Sequence, residues 1–180
     1  MFSTAPEEIY FVTSTVVRWI DLFTRDVYRQ IILESLAHCQ EKKGLDVYAW
    51  VIMTNHLHMI LGRHGDLNMS DIIRDFKSFT SHQIKDSIRD NNLESRRDWL
   101  MWMFERAGRH NPNNKDFQLW QQDSHPVLLD TRDKLFQRLH YLHYNPVTAG
   151  FVLEPQHWRW SSAIDYCGGT GLLGNTIVIE

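Results

Sequence analysis

Cysteine is scarce: the 180 residues contain two, Cys39 and Cys167, and neither belongs to a CxxC pair. That excludes a cysteine zinc clip or a disulfide scaffold and points to buried free thiols in a reducing cytoplasm. No apolar run approaches the roughly 20 residues needed to span a bilayer. The opening Met1 to Glu8 has neither the basic nor the apolar segment of a secretory signal. Excess positive charge is missing too, since the formal net charge is −3. This argues against an indiscriminate nucleic-acid coat but leaves room for a local basic groove, because phosphate binding depends on where the cations cluster.

The hydrophobic fraction of 43% and seven tryptophans indicate a compact globule, and the length suits one domain over residues 1–180 with a tail from about 155 to 180. Glu8 to Val17 is rich in β-branched and aromatic residues and reads as a strand. A helix follows, with Thr24 as N-cap, Asp26 in its first turn and a Lys42-Lys43-Gly44 end. Asp46 to Met53 is apolar on both faces and predicts a central strand, joined through Thr54-Asn55 to a second strand as a hairpin.

From Ser70 to about Arg89, Ile72, Ile73, Phe76, Phe79, Ile84 and Ile88 recur at helical spacing. Asp90 to Asp116 is less regular, with Trp99 to Phe104 predicting a short helix on the core and Gly108 to Lys115 a loop. Phe117 to Leu129 reads as extended, with Phe117, Leu119 and Trp120 inward and Pro126 at an edge or bend. Asp130-Thr131 caps a last helix with the stripe Leu135, Leu139 and Leu142, expected to stop near Asn145 because Pro146 follows. No repeat or linker interrupts this order, which predicts an α+β sandwich around an antiparallel sheet.

Chemistry concentrates at His56-Leu57-His58. In a strand the two imidazoles share one face about 7 Å apart, while Leu57, Met59 and Leu61 share the other. Such a pair either converges on a metal ion, given a third ligand, or serves only as hydrogen-bonded histidines. On the Ser70–Arg89 helix, Arg74, Lys77, Ser78, Ser81 and Lys85 form one polar face, either a solvated surface or a phosphate-tracking stripe. On the last helix Lys134, Arg138, Tyr141 and Asn145 share a face away from the leucines.

The segment Tyr141-Leu142-His143-Tyr144-Asn145-Pro146-Val147-Thr148-Ala149-Gly150-Phe151-Val152, with Met53-Thr54-Asn55-His56-Leu57-His58-Met59-Ile60, closely resembles the single-tyrosine HUH transposases of small insertion sequences and their REP-associated relatives. Trp158-Arg159-Trp160-Ser161-Ser162-Ala163 is similar to the tail motif of those relatives. Asp71 to Thr80 is similar to their mid-chain helix, so the resemblance runs from about Tyr10 to Tyr166. It implies a ferredoxin-like fold with a central antiparallel sheet and a nuclease that cuts and rejoins single-stranded, hairpin-forming DNA in the bacterial cytoplasm, near the nucleoid. It further implies His56 and His58 as ligands of Mg²⁺ or Mn²⁺, Tyr141 as nucleophile and Asn145 as third ligand, a position where some branches carry glutamine. Arg74, Lys77, Ser78, Ser81, Lys85, Lys134 and Arg138 would then bind DNA.

A cation held there would neutralise charge building on the attacked phosphate, and a 5′-phosphotyrosine would keep the ester energy for rejoining. Tyr144 is the rival nucleophile, but it lies roughly 60° around the helix and lacks the i+4 amide. Two other functions stand beside this one: a domesticated REP-hairpin DNA-binding protein with little or no transposition activity, and a metallohydrolase acting on small molecules. A homodimer is also open, because Leu172 to Ile179 is strand-like and could pair with a second chain's sheet edge.

Overall fold

Alternation along one strand sets the architecture. The computed structural model describes residues 8–112, 116–122 and 125–180. Within it β3 (His56–Arg63) sends Leu57, Met59 and Leu61 into one hydrophobic cluster and Ile60 into another on the opposite face of the sheet. β3 is flanked by β1 (Tyr10–Thr15) and β2 (Leu45–Ile52), and a two-residue β4 (Val127–Leu128) pairs with β1. Every pairing is antiparallel and the strand order is β2-β3-β1-β4. With α1 (Asp26–Lys43) between β1 and β2, and α2 (Met69–Asp90) between β3 and β4, this is the ferredoxin-like α+β arrangement expected.

The larger cluster joins the sheet to α1, α2 and α3 (Arg97–Arg109) through Ile32, Leu36, Ile72, Phe76, Leu100 and Phe104. The smaller one places Leu139 and Leu142 of α4 (Arg132–Thr148) against Phe11, Ala49, Val51 and Ile60. Serving both clusters takes an irregularity in β2: the register shifts between Val47 and Ala49, so that Tyr48 and Ala49 both join the α4 side. Gly44 ends α1 at φ 66°, and a Cβ there would sit 2.1 Å from the His64 carbonyl oxygen. The turn into β2 therefore requires glycine.

Several expectations change. β2 is buried on both faces as its composition predicts, yet it is an edge strand, not a central one. Its outer edge is closed by the chain's own C-terminal segment. Ile52 donates to the Trp160 carbonyl (2.9 Å), and Trp158 Nε1 donates to the Ile52 carbonyl (3.0 Å). Ile177 donates to the Val47 carbonyl at 2.9 Å. Leu172 to Ile179, expected to be strand-like, forms no strand and is engaged with β2 of its own chain.

Ser162 completes the clamp, accepting from the Trp50 backbone N–H and donating to the Trp50 carbonyl. Its single hydroxyl proton is then committed, so His143 Nε2, 2.9 Å away, must be the donor to it. Arg29 lies beneath this segment, with its guanidinium 5.5 Å from the Trp158 ring centroid and 5.2 Å from that of Trp160. The Trp-Arg-Trp-Ser-Ser run thus holds the sheet edge.

Helix ends also differ. Arg25, not Thr24, is the N-cap of α1, and the Thr24 hydroxyl instead accepts from Arg96. α4 starts as expected, with Thr131 capping Lys134, but runs through Pro146 to Thr148. Pro146 lies in the last turn, where a missing N–H removes one bond from a helix about to end. Phe79 faces outward and stacks on His38, while Trp99 and Trp102 of α3 are half exposed. Cys39 is buried but Cys167 is exposed. The leader reading of Met1 to Glu7 and part of the loop reading, Asn113 to Lys115, fall outside the described residues. Among the described residues no helix is long and apolar enough to cross a membrane.

Candidate active site

His56 and His58 face α4 from the middle of the sheet, with ring centroids 4.8 Å apart. A chain of polar groups fixes His56. The Asn55 amide nitrogen donates to Asp21 Oδ1 (3.1 Å) and to the Trp19 carbonyl (3.4 Å), while Thr54 Oγ1 donates to the same Asp21 oxygen (2.6 Å). Both acceptors lack protons, so the amide oxygen of Asn55 must face His56 Nδ1, 2.7 Å away. The ring is therefore protonated at Nδ1 and carries its lone pair on Nε2.

His58 is arranged likewise. Its Nδ1 lies 2.9 Å from Thr13 Oγ1, its register partner on β1. Its Nε2 is buried with no hydrogen-bond partner. Burial above all, then the neighbouring His56 and Arg138, pushes its pKa down to about 3. Burial also lowers that of His56, against a hydrogen bond between its ring and the Asn145 side chain, which raises it. Both rings are neutral near pH 7, the state a metal ligand requires. No group of three His, Cys, Asp or Glu side chains suited to a metal occurs among the described residues. Two amide side chains meet His56, that of Asn55 at Nδ1 and that of Asn145.

Tyr141 approaches from α4, its ring centroid 5.3 Å from that of His58 and 6.1 Å from that of Phe11. It is 46% exposed, open to a large substrate. The Arg138 guanidinium lies 5.1 Å from the Phe11 ring centroid and 5.9 Å from that of Tyr141. His56, His58, Arg138, Tyr141 and Asn145 are therefore brought together. Lys134 is not: it forms an exposed ion pair with Asp130 at 2.7 Å, a pair of little energetic weight. Tyr144 stacks on His140 at 4.1 Å, around the helix from the histidines.

Arg74, Lys77, Ser78, Ser81 and Lys85 line a separate cavity of about 900 Å³ between α2 and residues 116–122 and 125–126. α2 packs on the opposite face of the sheet, so this groove and the histidines do not share a pocket. Arg74 is held by Asp71 (2.7 Å) and Asp75 (3.5 Å), burial lowers the Lys77 pKa, and the Lys85 ammonium lies 5.3 Å from the Phe117 ring centroid. Thr13, Asp21 and Asn55 were not legible as site residues. The one local signal was Asn55 directly before His56, which reads equally well as turn chemistry.

A family profile described as "Transposase IS200 like" matches residues 9–104. The match covers more than half of the chain and includes both histidines, but ends before Tyr141. The chain belongs to this IS200-like transposase family. Among solved structures it is similar to a REP-associated tyrosine transposase bound to a REP hairpin, with a TM-score of 0.64, 16% identity, and coverage of 100% of this chain and 98% of that one. A putative transposase from Deinococcus radiodurans R1 aligns with a TM-score of 0.48, 13% identity, and coverage of 79% of this chain and 96% of that one. No curated protein matches the chain.

Proposed function

We propose that this transposase-family protein is a metal-dependent endonuclease and strand transferase for single-stranded DNA flanked by hairpins, with Tyr141 as nucleophile. The observation that carries the reading is the buried, unpartnered Nε2 of His58 on a ring 5.3 Å from that of Tyr141. The REP hairpin bound by the solved transposase of similar fold supports hairpin DNA as the partner class. The full-length alignment supports treating residues 1–180 as one HUH domain.

His56, His58 and Asn145 would hold Mg²⁺ or Mn²⁺, with mixed nitrogen and oxygen donors favouring Mn²⁺. When bound, the cation supplies charge neutralisation on the non-bridging oxygens of the attacked phosphate. The chain's own residues do the rest. The Tyr141 oxygen attacks phosphorus and gives up its hydroxyl proton to solvent, the bond to the 3′ oxygen breaks, and that oxygen takes up a proton and leaves as a hydroxyl, so that no proton is gained or lost overall. One phosphodiester replaces another, so the reverse attack by a 3′ hydroxyl rejoins strands without an external energy source. Arg138 provides a cation for the strand beside the phenol, and α4 holds Tyr141 and Asn145 on one rigid element one turn apart.

All of these groups come from one chain, which supports cleavage in cis; a homodimer is not needed to complete the constellation. The test is incubation with single-stranded hairpin oligonucleotides and Mn²⁺. A covalent protein–DNA band that denaturing electrophoresis preserves and Tyr141→Phe abolishes supports the reading. Activity surviving Tyr141→Phe ends it.

A further inference from the structure

Arg18 and Trp19, in the turn Val17–Trp19 that follows β1, are the non-glycine residues at positive φ among those described, at 56° and 55°. Large side chains rarely adopt this conformation, because Cβ crowds the following carbonyl. Core packing does not explain it. Val17 and Ile20 on either side are buried, whereas Trp19, the most exposed of the seven tryptophans, is 60% exposed. What the left-handed turn achieves is display of an indole at the candidate active site.

The display is anchored. The Trp19 ring meets His56 edge-on, with centroids 6.1 Å apart. Its carbonyl accepts from the same Asn55 amide that orients His56. Trp19 therefore flanks His56 on one side of the pair as Tyr141 flanks His58 on the other. Arg18 beside it is exposed and lines a cavity of about 530 Å³ shared with Gln118, Gln121 and Gln122. An exposed aromatic face with an adjacent cation is the chemistry that holds a single-stranded nucleotide, the ring stacking on the base and the cation meeting phosphate.

The geometry points to Trp19 as the stacking platform for one unpaired base of the strand that passes His56, with Arg18 on a neighbouring phosphate. This rests on the single-stranded DNA reading above and adds to it a positioning residue that does not touch the reacting atoms. A stack made equally in the bound and transition states tightens KM and leaves kcat unchanged. Because every base offers a flat face, the subsite accepts any base but not an abasic site.

The test uses labelled hairpin oligonucleotides with thymine tails of about ten nucleotides, carrying one abasic residue at each tail position in turn. Binding is read by fluorescence anisotropy for wild type, Trp19→Gly and Trp19→Asn, the two residues that best tolerate the backbone at this position. In wild type one or two adjacent abasic positions should weaken binding about tenfold. Both variants should bind the intact strand about tenfold more weakly and lose sensitivity at those positions, with thermal midpoints at or above wild type and kcat unchanged in the cleavage assay. An abasic profile that does not depend on residue 19, or wild-type affinity in a folded variant, overturns the inference. If wild type binds no single-stranded tail, the proposed function fails as well, so the two failures are distinguishable.

Discussion

The His58 and Tyr141 rings meet with centroids 5.3 Å apart, one carried by an interior strand of the sheet and the other by the last long helix. The leucine stripe of α4 produces this meeting. Burying Leu139 and Leu142 against Phe11 and Ile60 brings the flank of the helix beside them, with Tyr141 and Asn145, to His58 and His56 of β3.

That contact separates the two tyrosines. Tyr141→Phe should reduce covalent adduct formation by at least about a hundredfold while leaving hairpin affinity within about twofold. Tyr144→Phe, which alters only a stack on His140, should retain most of the activity. Quantifying adduct and binding side by side for both variants checks the assignment, and reversed sensitivities would refute it.

Asn55 sets the tautomer of His56 without being a ligand in this scheme. Asn55→Ala should weaken Mn²⁺ binding about 10- to 100-fold, as loss of a ligand-orienting hydrogen bond usually does. Thr13→Val should act in the same direction through His58. Calorimetric titration of the DNA-free protein with Mn²⁺ measures both, and unchanged affinity in both would remove the cation from this pair.

Acid should destabilise the metal-free protein through buried neutral histidines. Burial first, then His140, pushes His143 down to about 4, and His58 is at about 3. Both return to about 6.5 when unfolded. Below that pH the unfolded chain binds protons that the folded chain does not. The stability from these groups is full above about 6.5 and is lost as the pH falls toward 4 and then 3, at up to about 1.4 kcal/mol per pH unit for each histidine. Urea unfolding at about pH 7.5 and about pH 5 compares the two regimes; equal stability at both would contradict this.

If the α2 groove tracks phosphate, Lys77→Ala and Lys85→Ala should each weaken DNA binding across sequences and reduce the slope of log affinity against log salt by about 0.7 for a single strand. Lys134→Ala, whose ammonium is engaged with Asp130, should change the slope less. Binding isotherms at several salt concentrations decide it, and unchanged slopes would make α2 an ordinary solvated face.

Ser162 answers to stability and not to chemistry. Ser162→Ala leaves the Trp50 N–H and carbonyl and the His143 Nε2 without their shared partner, which should cost about 1–3 kcal/mol. A lowered urea midpoint with hairpin affinity intact would show it; wild-type stability would mean that the β2 edge is held elsewhere.

Most of the fold was legible because its elements are amphipathic at their own periods. The alternation Leu57, Met59, Leu61 against His56, His58, Ile60 shows in the one-dimensional order, as does the α4 stripe. β2 was misplaced because burial on both faces looks the same whether a sheet strand or a C-terminal segment covers the edge. Phe79 and Pro146 were misread because local spacing and propensity are weak where tertiary contacts or a helix end decide the outcome.

By itself the sequence determined which faces of β3 and α4 carry the chemistry, since side-chain direction follows from strand and helix periodicity. Only the tertiary structure decided that those faces meet and that Asp21, through Asn55, sets the proton on His56. It also decided that Thr13 stands opposite His58, and that Trp19 is turned outward beside the pair. These are relationships between residues distant along the chain, fixed by strand register and by the packing of α4 on the sheet, and neither is encoded in any local run of residues.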